Sequence, residues 1–216
     1  PTQIIDEYVR QNLHSIFLRP LSPYGFAIKT KQTEKYNIDN WMAFYRTGLN
    51  YIIELNKAGY YMAEQYTAII LRKIFSPQNP GYVDLQSPAG MGISAVVYNY
   101  DGDVYASDEA RMLKEMGDEK FKLGNVFDND YIEIFGSDVL LDSIEHSLPE
   151  SSPMCSDCGL LTYCGADPVY HYATQGDVVG KKPLSFFCKK NTSIIEHIFE
   201  LLDNEDNRKV MESWIT

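Results

Sequence analysis

A chain of 216 residues with 44% apolar content is long enough to bury a core of its own, as one large domain or two modest ones. Thirty acidic against nineteen basic side chains give a formal charge of −11, which repels phosphate backbones and anionic membrane surfaces and argues against nucleic acid as a partner. No apolar run approaches the roughly 20 residues of a membrane span. The chain opens mid-stride at Pro1-Thr-Gln without an initiator Met, as a fragment would, and the absence of a signal peptide points to the cytoplasm.

In chain order, Ile4-Ile5-Asp-Glu-Tyr8-Val9 is helix-like, and His14-Ser-Ile16-Phe17-Leu18-Arg19-Pro20 has the profile of a strand buried on both faces and closed by proline. Leu21-Ser-Pro23-Tyr-Gly25-Phe26 is a loop with two breakers. From Asn37 to Ala58 the spacing predicts a helix: Trp41, Tyr45, Leu49, Ile52 and Leu55 recur at three- and four-residue steps, and Gly59 can end it. After a short apolar link from Tyr60 to Glu64, a second helix runs from Tyr66 to Phe75 and stops at Ser76-Pro77. Strand, helix, short apolar segment and helix form the tail of an α/β alternation, with too few strands to close a sheet.

The character changes after Pro77-Gln-Asn-Pro80-Gly81, and a domain boundary falls near residue 85. Ile93 to Asn99 leads through Tyr100-Asp101-Gly102 into Asp103-Val104-Tyr105, a hairpin with Asp-Gly at its turn. A helix from Asp108 to Met116 starts with acids and ends at Gly117, Lys122 to Val126 reads as a turn, and short helical segments follow at Tyr131 to Phe135 and Asp138 to His146. Residues 149–190 are rich in Pro and Gly with little apolar periodicity, so a bound metal is expected to supply much of their order. Ser193-Ile-Ile-Glu196 is a capping box for a helix through Leu202, and Asp206 to Ile215 closes the chain.

All four cysteines lie late: Cys155-x2-Cys158-x5-Cys164, then Cys188. Two thiolates two residues apart can bite one metal from a single turn, a third can close over it, and a remote fourth can lock the chain's return. Disulfides would need an oxidising compartment, and four cysteines in a chain this long are sparse for a stapled secreted fold. A redox CxxC pair begins a helix after a strand, whereas Cys155 follows the loop Pro149-Glu-Ser-Ser-Pro153. The four residues therefore read as a four-thiolate metal site, and such donors suit zinc and an iron–sulfur cluster alike.

Here the residues carry a resemblance. Asp101-Gly102-Asp103-Val104-Tyr105, Gly124-Asn125-Val126, the three-cysteine run and Cys188, taken in order, resemble the SPASM domain, the auxiliary-cluster domain at the C-terminus of radical SAM peptide and protein maturases. Within that family, Tyr98-Asn-Tyr-Asp-Gly102, Asp108-Glu-Ala-Arg-Met112, Phe17-Leu-Arg-Pro-Leu-Ser-Pro-Tyr-Gly-Phe26 and Ser87-Pro-Ala-Gly90 are most similar to the radical SAM maturase of the His-Xaa-Ser peptide system. The resemblance implies an α/β plus α+β chain. Residues 1–84 would be the C-terminal part of a radical SAM partial (β/α) barrel, 85–203 a SPASM-like domain with a hairpin, short helices and a four-Cys site, and 204–216 a C-terminal helix.

It also implies function. The family's second auxiliary [4Fe–4S] cluster maps onto Cys155, Cys158, Cys164 and Cys188, with zinc a substitute in aerobically produced protein. The Cys-x3-Cys-x2-Cys loop whose cluster binds S-adenosylmethionine has no counterpart, so that cofactor belongs to the longer parent protein and this fragment alone is expected to be inactive. Positions matching the first auxiliary cluster's remaining cysteines are Ser87, Ser107 and Pro168, so that cluster is expected to be absent. In sulfatase-maturing relatives an acid at the place of Asp108 accepts a substrate proton; the bland reading of Asp108 is a helix cap. Arg19, at the end of a buried strand, is a candidate for a carboxylate of substrate or cofactor, or else an ion pair. The four histidines show no paired metal spacing and read as surface or satisfied residues, and the tyrosines near the cysteines read as packing.

Two function classes stay open. One is the C-terminal part of a peptide-modifying radical SAM enzyme, with a peptide substrate and the upstream half of the same polypeptide as partners. The other is a non-enzymatic, zinc-stabilised protein- or peptide-binding module that shares only the ligand spacing. Neither nucleic acid nor a membrane is expected as a partner.

Overall fold

The computed structural model describes residues 1–25 and 37–215; Phe26, the last residue of the breaker-rich loop, lies outside them. The described residues fall into two compact units, one of residues 1–21, 37–80 and 189–215, the other of 22–25 and 81–188. Residues 189–203, which the sequence attaches to the cysteine domain, therefore pack with the first unit. No described helix is long and apolar enough to cross a membrane.

The first unit is built on a parallel βαβ element. Strand β1 (Ser15–Ile16) pairs with β2 (Ala63–Glu64) in the register Ser15↔Ala63 and Ile16↔Glu64, so part of the segment read as a link is a strand. Too short to show a period, β2 declares itself only through its partner. Two parallel strands need a long crossover, which α2 (Ile38–Lys57) supplies. Ahead of β1 comes α1 (Thr2–Arg10), whose Ile5 is fully buried. The side chain of Asn37 caps α2 by accepting from Asp39 N at 2.7 Å, and of its predicted stripe Trp41, Tyr45, Leu49 and Ile52 are buried and Leu55 is half-buried. Gly48 lets this helix approach closely: a Cβ there would stand 2.9 Å from Leu18 Cδ1 and 3.2 Å from Pro1 Cβ.

Helix α3 (Gln65–Phe75) follows β2 directly, capped by Glu64. That carboxylate is fully buried and accepts four hydrogen bonds: Leu18 N at 3.0 Å, Tyr66 N at 3.3 Å, Thr67 N at 2.7 Å and Tyr45 OH at 2.8 Å. It thereby ties the end of β1, α2 and the start of α3 to one point.

In the second unit, β3 (Val97–Tyr98), β4 (Asp103–Tyr105) and β5 (Lys122–Asn125) form an antiparallel sheet in that order. The hairpin turn is as predicted, with Asn99 N donating to Asp103 O at 2.8 Å and Gly102 at φ +85°. The supposed turn at 122–126 is instead largely strand β5, pairing Val104 with Gly124 and Asp103 with Asn125. Lys-Leu-Gly-Asn has little intrinsic β preference; what makes it a strand is pairing with β4 and the charge contact of Lys122 Nζ to Asp103 Oδ1 at 2.6 Å. Val104, Tyr105, Phe121, Leu123, Ile134 and Val169 belong to the core beneath.

Short capped helices surround this sheet: α4 (Asp108–Lys114), α5 (Tyr131–Phe135) with an Asp130–Glu133 capping box, and α6 (Asp138–Glu145). Residues 149–190, expected to owe much of their order to a metal, contain regular structure of their own. They hold α7 (Pro168–Gln175), started by Asp167 accepting from Tyr170 N at 2.8 Å and by Pro168 in its first turn, and ended by Gly176 at φ +73°. Three single 3₁₀ turns flank it, at Pro149–Ser151, Leu161–Tyr163 and Lys182–Leu184. Helix α8 (Phe186–Leu202) begins well before the Ser193 box, because Ser185 Oγ already accepts from Cys188 N at 3.1 Å. The last helix, α9 (Glu205–Glu212), packs on α2 and α3, and Trp214 Nε1 donates to Asn56 Oδ1 at 3.5 Å.

Candidate metal centre

All four cysteines sit in the second unit, half-buried and outside any disulfide. Cys155 and Cys158 occupy consecutive tight turns: Cys155 N donates to Ser152 O at 3.1 Å and Cys158 N to Cys155 O at 3.0 Å. Met154 enters this run at φ +65°, a left-handed backbone that non-glycine residues seldom adopt. The 3₁₀ turn Leu161–Tyr163 delivers Cys164, whose thiol donates to Gly165 O at 3.6 Å. Gly165 lies flat against residues 84–86, where a Cβ would come within 2.5 Å of Asp84 O. Cys188 is held in the first turn of α8.

One polar node joins the turn of Cys155 to the start of α8. Ser185 Oγ, which accepts from Cys188 N, donates to Lys182 O at 2.6 Å and meets His171 Nε2 at 3.2 Å. Lys182 is 4% exposed, and its Nζ donates to Ser152 Oγ at 3.2 Å, on the turn that carries Cys155. Burial pushes the Cys155 thiol up, Lys182 opposes that shift, and Cys158 adds to it. Burial likewise pushes the Lys182 ammonium down, against the pull of Cys155 and Asp177. A buried ammonium whose hydrogen bond goes to a neutral hydroxyl is a poorly balanced charge. Sequence reasoning passed over Lys182, Ser185 and Ser152, since a lysine before a proline in a polar stretch carries no signal of burial.

The donor chemistry and the buried cation fit an anionic thiolate site, yet among the described residues no three His, Cys, Asp or Glu side chains are gathered closely enough to hold a metal. The structure thus ties the turn that carries Cys155 and the start of α8 that carries Cys188 to one hydrogen-bonded node but does not draw a finished coordination sphere.

The other candidates lie apart from this node or serve the fold. Asp108 is exposed at the first position of α4, paired with Arg111 at 3.1 Å. The cap of that helix is Ser107, accepting from Ala110 N at 3.2 Å, which corrects the capping role expected of Asp108. Ser107 is one of the three positions matched to missing cysteines; of the others, Ser87 Oγ bonds Glu150 and Pro168 begins α7. Arg19 is exposed, its guanidinium 5.1 Å from the Phe17 ring centroid. His14, His146 and His171 each have hydrogen-bonded rings, but His197, bonded through Nδ1 to Glu200 at 3.1 Å, leaves Nε2 buried without a partner and so is not fully satisfied. Tyr170, pushed up to about 12 by burial and by Asp167, and Tyr172, donating to Asp118 at 2.8 Å, are packed as expected.

No protein-family model matches the chain, and no curated protein matches it. Solved structures do. "Native anSMEcpe with bound AdoMet" aligns over 96% of this chain and 54% of its own, at TM-score 0.66 and 18% identity. "Native anSMEcpe with bound AdoMet and Cp18Cys peptide" aligns over the same shares at TM-score 0.65 and 18% identity. A histidine-tagged form of anSMEcpe with bound AdoMet aligns over 83% of this chain and 44% of its own, at TM-score 0.60 and 18% identity. The chain therefore shares the fold of part of anSMEcpe and spans about half the length of the chains it resembles.

Proposed function

We propose that this chain is the C-terminal part of a radical SAM enzyme that modifies a peptide, and that Cys155, Cys158, Cys164 and Cys188 hold one auxiliary [4Fe–4S] cluster in it. The observation that carries the reading is the overlay of 96% of the chain on anSMEcpe, an anaerobic sulfatase maturase whose structures hold AdoMet and, in two cases, a peptide. Two features support the ligand set: all four cysteines fall in one unit, and the buried Lys182 beside Cys155 would be balanced by the net negative charge of four thiolates on a metal. When bound, a cluster closed by four cysteines supplies electron relay or structural order rather than an open coordination position. Zinc would satisfy the same donors, which is how aerobically produced protein would carry it.

The chain's own residues then have these roles. Ser185 orients Cys188 at the start of α8, and Lys182 offsets the charge near Cys155. Asp108 and Arg19, both exposed, are proposed to accept a substrate proton and to meet a carboxylate. The narrower likeness to the His-Xaa-Ser system rests on sequence segments such as Tyr98–Gly102 alone, and belongs to the same proposal.

The test is product formation under reductant. The polypeptide that contains the upstream half is expected to convert S-adenosylmethionine to 5′-deoxyadenosine, and residues 1–216 alone are not. Turnover by residues 1–216 would overturn the reading, and a longer form that is inactive with its clusters in place would count equally against it.

A further inference from the structure

Within the first unit, α3, α8 and α9 border an open groove of about 540 Å³. Its floor is apolar, made by Ile74 and Phe75 at the end of α3 and by Phe199 and Leu202 on α8; Phe75 remains 38% exposed. Along one wall run three carboxylates, Glu196, Glu200 and Asp203. Their steps of four and then three residues place them one above another on one helical face, over roughly 10 Å at 1.5 Å per residue.

The two ends of this wall carry unpaired charge. Glu196 and Asp203 form no ion pair among the described residues, while Glu200 meets His197 Nδ1 at 3.1 Å and feels the charge of Arg46. Arg208 also lines the groove, its guanidinium 5.7 Å from the Phe75 ring centroid on the floor and 3.3 Å from Glu212, which partners it. An apolar floor alone would take many hydrophobic segments; a row of carboxylates beside it repels acidic ones and attracts basic ones. It also disfavours a second copy of a chain whose formal charge is −11. The volume suits a few side chains rather than a globular face.

We propose that this groove receives a cationic amphipathic peptide segment, with apolar side chains on Phe75, Phe199 and Leu202 and Lys or Arg side chains against Glu196, Glu200 and Asp203. A helical segment with basic residues four and three positions apart matches the row. The site lies in a different unit from the cysteines and does not depend on their binding a metal.

Fluorescence anisotropy on the full-length polypeptide tests this, using a labelled helical peptide of Leu and Lys and its twin with Glu for Lys. The Lys peptide is expected to bind, to weaken as salt is raised, and to lose about tenfold or more in affinity against Glu196→Lys/Asp203→Lys, whose positions are both exposed. Phe75→Ala, which removes floor without touching charge, is a second variant expected to weaken binding. Equal binding of both peptides, or affinity unchanged in both variants, would overturn the proposal. So would a dimer in sedimentation velocity that the charge reversal abolishes, since the groove's occupant would then be a second copy.

Discussion

At the scale of single residues, the group that holds the first unit together is Glu64. Removing its side chain strands three backbone N–H groups in a buried site and leaves the Tyr45 hydroxyl with Thr67 Oγ1 alone, so Glu64→Ala is expected to destabilise the protein by about 3 kcal/mol or more in urea unfolding. Burial pushes this carboxyl above the ordinary glutamate value, against the pull of its hydrogen bonds to Thr67, Tyr45 and Leu18. The folded state therefore keeps the proton at pH values where the unfolded chain has lost it. Its contribution to stability is fully present below the unfolded value and falls away as pH rises towards the folded one. Replacement by Gln should flatten stability against pH across that window; a wild-type profile that rises there would show that the four hydrogen bonds outweigh burial.

At the scale of elements, α8 links the cysteine scaffold to the first unit, and its start depends on Ser185. Ser185→Ala should lower stability by about 1 kcal/mol and loosen the hold on Cys188. Because α7 carries its own cap and proline, hydrogen exchange after chelation, or in Cys188→Ala, should rise in residues 152–164 while 168–175 stays protected. Equal loss in both segments would mean that metal orders the whole stretch. The longer helices were legible in the sequence because Trp41 to Ile52 and Tyr66 to Phe75 repeat at helical spacing and stop at Gly59 and Ser76-Pro77. Strands β2 and β5 were not, since two to four residues show no period and exist through a partner elsewhere in the chain. The cysteine spacing was visible at once; the node of Lys182, Ser185, His171 and Ser152 behind it was not, because burial of a lysine depends on packing that no local pattern announces.

At the scale of the whole molecule, the fold shared with anSMEcpe covers nearly all of this chain and about half of that one. The described βαβ element has two strands, too few to enclose a cofactor as a barrel does, which is why activity is assigned to the longer polypeptide. The central claim, that the four cysteines carry an iron–sulfur cluster, is met most directly by iron, acid-labile sulfide and zinc counted on residues 1–216 after anaerobic reconstitution. The account predicts about four iron and four sulfide per chain, falling towards zero in Cys188→Ala. Stoichiometric zinc with no iron, or iron retained undiminished in Cys188→Ala, would contradict it.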